Sequence, residues 1–166
     1  MVESPVGGRT STSDEPLQNL VRRAECLQAG IAACHCAAKD YESTDWQQIL
    51  ALYDAWVELD ASPVVALNRA IVVANLAGPR AGLDTVAAIE GREKLECYYL
   101  LYAVLGEFEA QLHNLTAAAG HFRKSLELAP SNQNEHSCPN DFAAAARAQA
   151  RITQKMSPKA AAGERR

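Results

Sequence analysis

The stretch "SPVVALNRAIVVANLAGPRAGL", residues 62–83, decides how this chain folds. Pro63 suits the first position of a helix, because its missing N–H would have no partner there. Gly78 and Pro79 end the helix, since neither continues a regular helical pattern. The residues between them are apolar on nearly every side, which is typical of a helix with neighbours all round it.

Three strongly polar side chains interrupt this apolar helix, namely Asn68, Arg69 and Asn75. The two asparagines are seven residues apart and lie on one side of the helix. Two interpretations follow. The trio either forms a hydrogen-bonded structural network, in which Arg69 pairs with Asp54 or Glu58, or it lines a groove that binds a partner.

Length and charge restrict the classes of protein to which the chain can belong. It has 166 residues, is 48% hydrophobic, carries a formal charge of -4 and is only 6% aromatic. Such a chain can form one domain with a core, and it has neither the basic face nor the aromatic content of a nucleic-acid binder. No apolar run reaches the length that spans a bilayer, and the first residues do not resemble a signal peptide. We therefore expect a cytoplasmic protein with no direct DNA binding and no membrane partner.

The hydrophobic pattern predicts an all-α fold of antiparallel helical hairpins. Residues 1–15 and 157–166 are expected to be disordered, 16–132 to form the helical domain, and 133–156 to form a loop and a capping helix. The helix after "STDW" begins with Thr44 or Asp45 as its N-cap. The predicted helices are 17–39, 46–59, 63–77, 80–89, 93–113, 115–129 and 141–155.

An internal repeat organises these helices. Residues 99–132 fit the tetratricopeptide (TPR) pattern of 34 residues, and residues 64–97 and 30–63 are weaker copies in phase with it. We expect a TPR-like right-handed α-solenoid of about three repeats. Within it, small residues let paired helices approach, aromatic residues fill the space between repeats, and a proline ends the last helix. The structural repeat positions are Tyr102, Leu105, Gly106, Ala118, Phe122 and Pro130.

A longer resemblance lies in "STDWQQILALYDAWVELDASPVVALNRAIVVANLAGPRAGLDTVAAI", residues 43–89, and continues through "YYLLYAVLGEFEAQL" and "AAAGHFRKSLELA". This sequence resembles the C-terminal, TPR-like extension of a group of bacterial extracytoplasmic-function (ECF) RNA polymerase sigma factors. The resemblance covers about residues 28–130. Sigma region 2 and region 4, which contact the promoter in that family, have no counterpart here, so promoter recognition cannot be transferred to any residue of this chain.

The resemblance implies a non-catalytic interaction domain that regulates transcription initiation. Its expected partners are sigma region 2 or region 4, core RNA polymerase, or another protein. The alternative is a stand-alone TPR-like adaptor unconnected to RNA polymerase, and a third hypothesis is an enzyme or small-molecule sensor. In TPR proteins the positions of Asn68 and Asn75 face the concave groove, which makes Asn68, Arg69 and Asn75 the candidate binding residues.

The remaining reactive side chains do not form a recognisable site. Cys34, His35 and Cys36 are consecutive, and residues two apart on a helix point about 200° from each other, so this cluster is a poor metal site. No phosphate-binding loop, nucleophile elbow or catalytic triad spacing occurs. We expect no catalytic residues, no metal and no cofactor.

Overall fold

The computed structural model describes residues 14–129, and they form an all-helical domain. No strand occurs within this described range, which confirms the predicted all-α class. None of its helices is long and apolar enough to cross a membrane. The helices are α1 (Asp14–Ala37), α2 (Trp46–Leu59), α3 (Pro63–Ala77), α4 (Pro79–Ala87), a short 3₁₀ helix (Arg92–Leu95), α5 (Tyr99–Gln111) and α6 (Leu115–Leu128).

The predicted capping residues act as expected at two helices. The Oδ1 atom of Asp45 accepts a 2.9 Å hydrogen bond from the amide of Gln48 and so caps α2. Pro63 occupies the first turn of α3, although the side chain of Ser62 makes no capping hydrogen bond. Gly78 has φ +90° and ψ 165°, a conformation that is essentially restricted to glycine, and it both ends α3 and begins α4.

The predicted helix over residues 93–113 was wrong in its first third. A 3₁₀ helix and a turn occupy residues 92–98, and α5 begins only at Tyr99. Leu95 is fully buried and Tyr98 is only 8% exposed, so this segment is fixed by packing against the core. Gly91, with φ +69°, turns the chain into it.

Each α-helix packs mainly on its neighbours in the chain, and α3 additionally touches α5 and the 3₁₀ helix. Two groups of buried side chains result, and α3 contributes to both. One lies between α3, α4, the 3₁₀ segment and α5, and the other lies between α1, α2 and α3. The first contains Val64, Leu67, Ala70, Val86, Ile89, Leu95, Tyr98, Leu101, Leu105 and Phe108, and the second contains Ile31, Ile49, Tyr53, Trp56, Val65 and Val72.

The hairpin of α5 and α6 shows how the repeat residues pack. Leu105 and Ala118 are buried, and a Cβ atom added at Gly106 would lie 2.7 Å from Cε1 of Phe122. The small residue therefore permits the close approach that the sequence predicted. Tyr102 is half-buried and its ring stacks on His121 of α6 at 6.3 Å.

Phe122 was expected to fill the space between repeats, and the residues that follow α6 and could form the next element lie outside the described range. Its ring lies over Gly106 within one hairpin and remains 38% exposed. Several other predictions concern residues outside the described range. They are residues 1–13 of the lead-in predicted for 1–15, Pro130, the loop and capping helix over 133–156, and the tail 157–166. Residues 14 and 15, which were also assigned to the lead-in, belong to α1.

The turn between α5 and α6 has a left-handed residue that is not glycine. His113 has φ +63°, its N–H donates to the carbonyl of Ala110, and the N–H of Asn114 donates to the carbonyl of Glu109 at 2.9 Å. These two bonds form a Schellman motif, in which glycine is the usual residue at the position of His113.

Candidate binding site

Helix α3 holds all three candidate binding residues, but the structure does not join them into one network. Asn68, Arg69 and Asn75 are each half-buried. Arg69 and Asn75 have partners on different elements, and they satisfy different structural needs. The two interpretations of the trio therefore have to be judged residue by residue.

Arg69 forms an ion pair with α2. Its Nε donates to Oδ1 of Asp54 at 2.6 Å, and the two side chains are 34% and 48% exposed. This is one of the two pairings that the sequence suggested. An ion pair this accessible to water contributes little to stability, on the order of 1 kcal/mol or less. Its main effect is to orient the guanidinium group beside α2.

Asn75 connects α3 to the loop between α1 and α2. Its Nδ2 donates to the carbonyl of Ile71 at 3.0 Å within α3, and its Oδ1 accepts a hydrogen bond from the hydroxyl of Tyr41. Both functional groups of the amide are therefore used inside the chain. For Asn75 the structural interpretation fits the contacts.

Tyr41 was not identified from the sequence, because it lies in a loop where hydrophobic periodicity carries no signal. Its ring packs on Trp46 with a centroid distance of 4.8 Å. Burial raises the pKa of the Tyr41 hydroxyl, the bond to Asn75 lowers it, and the carboxylate of Glu107 raises it again. Glu107 of α5 is thus close enough to Tyr41 to act on it electrostatically.

A polar strip runs across α3 and α5 as a result. We define it as Tyr41, Asn75, Glu107 and Gln111. Gln111 donates to Oε1 of Glu107 through its Nε2 at 2.9 Å. Tyr41 is 49% exposed, and Glu107 and Gln111 are exposed too. The strip presents hydroxyl, amide and carboxylate groups to solvent at the place where α3 and α5 lie side by side.

Asn68 differs from its two neighbours. It lies about two turns before Asn75 on α3 and is half-buried. Among the hydrogen bonds of residues 14–129, none involves its side-chain amide, so one donor group and one acceptor group stay unused within the described domain. A carboxamide of this kind can form two hydrogen bonds with a peptide group of another chain. Asn68 is therefore the residue of the trio that best fits a binding role.

The cysteine and histidine cluster of α1 does not assemble a site. The Sγ of Cys34 donates to Oε1 of Gln48 at 3.2 Å, while Cys36 is exposed. His35 packs edge-on against Trp46, and its buried Nδ1 has no hydrogen-bond partner in the described domain. Burial lowers the pKa of His35. No group of three or more potential metal ligands lies together within residues 14–129.

Comparison with known proteins finds a relative that is similar over more than half of this chain. An uncharacterized protein of Rhizobium meliloti (strain 1021), R00370, is 39% identical over 103 residues, which are 62% of this chain and 24% of that protein. The chain thus spans about a quarter of the length of the curated relative it matches. No family model and no solved structure matches the chain. A functional assignment consequently rests on its own residues.

Proposed function

We propose that this chain is a non-catalytic interaction domain of an ECF-type sigma factor, and that it binds a segment of a partner protein along α3 and α5. The observation that carries the binding role is the unused, half-buried amide of Asn68, which lies on α3 about two turns before Asn75 of the polar strip. A partner's backbone that crosses α3 would find the amide of Asn68 in the middle of the helix and the polar strip near its C-terminal end. The mode of recognition would be a peptide or helix laid along a helical surface.

The packing order supports a TPR-like solenoid as the architecture behind this role. Each α-helix contacts the next one along the chain, most extensively α5 with α6 and α3 with α4, and α3 also touches α5. In a stack of hairpins of this kind the first helices line one common surface, on which the polar strip and Asn68 would lie.

The link to transcription rests on the sequence resemblance over residues 43–89. Its partners would be sigma region 2, sigma region 4 or core RNA polymerase. The second candidate function, a stand-alone adaptor, uses the same surface with a different partner. The two differ in what the surface binds and not in how it binds, so a direct binding measurement separates them.

The test measures affinity of the full chain for sigma region 2, sigma region 4 and core RNA polymerase, each prepared separately from a full-length relative. Asn68→Ala removes the unused amide, and Gln47→Ala is the matched control because Gln47 is an exposed amide on α2. We expect Asn68→Ala to weaken binding roughly tenfold, as expected for loss of hydrogen bonds worth about 1.4 kcal/mol, and Gln47→Ala to have no effect. Asn75→Ala is unsuitable as the main variant, because it also removes the bond to Tyr41.

Three outcomes are informative. Binding that Asn68→Ala weakens, with unchanged circular dichroism and melting temperature, supports both parts of the proposal. Binding that is equally strong in both variants keeps the sigma-factor partner and refutes the role of Asn68. No binding to any of the three partners refutes the sigma-factor assignment and favours the adaptor.

A further inference from the structure

One helix of the domain has an apolar face that nothing in the described structure covers. Leu115, Phe122 and Leu126 of α6 are 68%, 38% and 77% exposed, and Ala119 between them is exposed too. Their spacing of four, three and four residues places all of them on one face of the helix. We call this set the α6 stripe. It adjoins the contact with α5, because Phe122 also packs over Gly106.

We propose that residues 141–155 of the same chain, "DFAAAARAQARITQK", bind to the α6 stripe as a helix. The two large apolar residues of this segment fall on one helical face together with two of its alanines, and the basic residues fall on the opposite face. Alanines on the apolar face would let the segment approach the larger side chains of α6 closely, as large and small residues alternate in packed helices. The apolar set is Phe142, Ala145, Ala146 and Ile152, and the basic set is Arg147, Arg151 and Lys155.

Chain length permits this contact. Helix α6 has 14 residues, about 21 Å, and fifteen residues in a helix span about 22 Å, so the two match in length. The intervening residues 130–140 can extend to about 36 Å, which exceeds the length of α6. The segment can therefore return along α6 in either direction.

The opposite net charges of the domain and of the C-terminal residues also favour this segment as the one that binds the α6 stripe. Residues 14–129 contain 16 acidic and nine basic residues, a formal charge of -7, whereas residues 130–166 contain six basic and three acidic residues, a formal charge of +3. The domain thus attracts its own C-terminal segment over distances of about the Debye length. A second copy of the domain would carry the same negative charge and would be repelled.

The experiment uses the full chain of 166 residues and follows the segment itself. Limited trypsin digestion reports cleavage after Arg147 and Arg151, and hydrogen exchange with mass spectrometry reports protection of residues 142–152. The test variant is Leu126→Glu, which places a charge within the stripe. The matched control is Ala117→Glu on the far side of the same helix, where the side chain is exposed. A second variant, the double substitution Phe142→Glu with Ile152→Glu, places charges on the apolar face of the segment instead of on the stripe.

We expect cleavage after Arg147 and Arg151 to be at least tenfold faster in Leu126→Glu than in the wild type, and unchanged in Ala117→Glu. Leu126→Glu should also lower Tm by about 3 °C or more, and it should have no further effect in a chain that already carries the two segment substitutions. Equal cleavage and exchange in Leu126→Glu and the wild type would overturn the proposal. So would protection that appears only as protein concentration rises, because a second copy would then cover the stripe.

Discussion

Substitution of Gly82 by alanine should destabilise the domain, although alanine is the better helix former. Gly82 lies on α4 where it meets α3 and α5. A Cβ atom there would be 2.7 Å from Cβ of Ala74 and 2.7 Å from Cε2 of Phe108. Ala74 can retreat only with its backbone, and Phe108 is buried, so neither neighbour can give way easily.

The magnitude follows from two opposing effects. Replacing glycine by alanine inside a helix stabilises it by up to about 1 kcal/mol. Inserting a methyl group at a position where it would lie closer than van der Waals contact to two neighbours costs typically 1–3 kcal/mol. We expect the steric cost to exceed the gain, and Gly82→Ala to lose about 1–2 kcal/mol of unfolding free energy.

Gly120→Ala is the matched control, because the same change is made where a Cβ atom meets nothing within 4 Å. It should gain about 0.5–1 kcal/mol from helix propensity alone. Gly106→Ala should fall between the two. The three atoms nearest to its added Cβ all belong to the ring of Phe122, which is 38% exposed and is therefore less confined by the domain than the buried Phe108.

The assay is urea unfolding followed by circular dichroism, with the midpoint and slope compared for the wild type and the three variants. A Gly82→Ala protein as stable as the wild type, or one that shifts in the same direction as Gly120→Ala, would refute the reasoning. It would mean that α3, α4 and α5 can separate at this point at no cost.

Three further substitutions should alter stability in directions that the local structure sets. His113→Gly should gain roughly 0.5–1 kcal/mol in urea unfolding, because glycine adopts the left-handed conformation of the α5–α6 turn without strain; a loss would contradict this account of the turn. Burial raises the pKa of Tyr98 to about 12, so the unfolded chain releases this proton from about pH 10 upwards while the folded chain keeps it. Stability should therefore fall by roughly 2–3 kcal/mol between pH 10 and pH 12, and Tyr98→Phe should lack that part of the fall when unfolding is measured across this range. Burial lowers the pKa of His35, so the unfolded chain binds a proton first, and stability should decrease as pH falls below 6.5; His35→Gln should have a flatter profile between pH 7.5 and pH 5.5, and identical profiles would show that His35 does not contribute.

The sequence predicted the helices where local rules determine them. Asp45 and Pro63 start helices by satisfying or omitting backbone donors, and Gly78 ends one by its conformation, so neighbouring residues suffice. The boundary of α5 could not be predicted in this way. The 3₁₀ helix ahead of it exists because Leu95 and Tyr98 are buried against distant helices, and such contacts leave no periodic trace in the sequence.

The candidate site likewise contains one contact that could be predicted from the sequence and others that could not. The partnership of Arg69 with Asp54 could be predicted, since the two lie on consecutive helices of one pattern. The partnership of Asn75 with Tyr41 could not, because Tyr41 belongs to a loop whose position depends on how α1 and α2 pack. The approach of Glu107 to Tyr41 depends in turn on how α5 stacks on α3. The polar strip is thus a product of helix stacking, and only its separate members are visible in the sequence.

In the hairpins of α3 with α4 and of α5 with α6, a glycine lets the two helices approach each other closely, but it lies on the second helix in one hairpin and on the first helix in the other. In the hairpin of α5 and α6 the glycine is Gly106, on the first helix, and it faces Phe122 of the second. In the hairpin of α3 and α4 the corresponding first-helix glycine is absent, and Gly82 of the second helix faces Ala74 of the first. The requirement is that one partner lacks a bulky side chain at the crossing, and either helix can meet it. A repeat consensus that fixes the glycine on the first helix does not recognise a glycine on the second helix, which explains why residues 64–97 look like a degenerate copy although their helices come into close contact at Gly82.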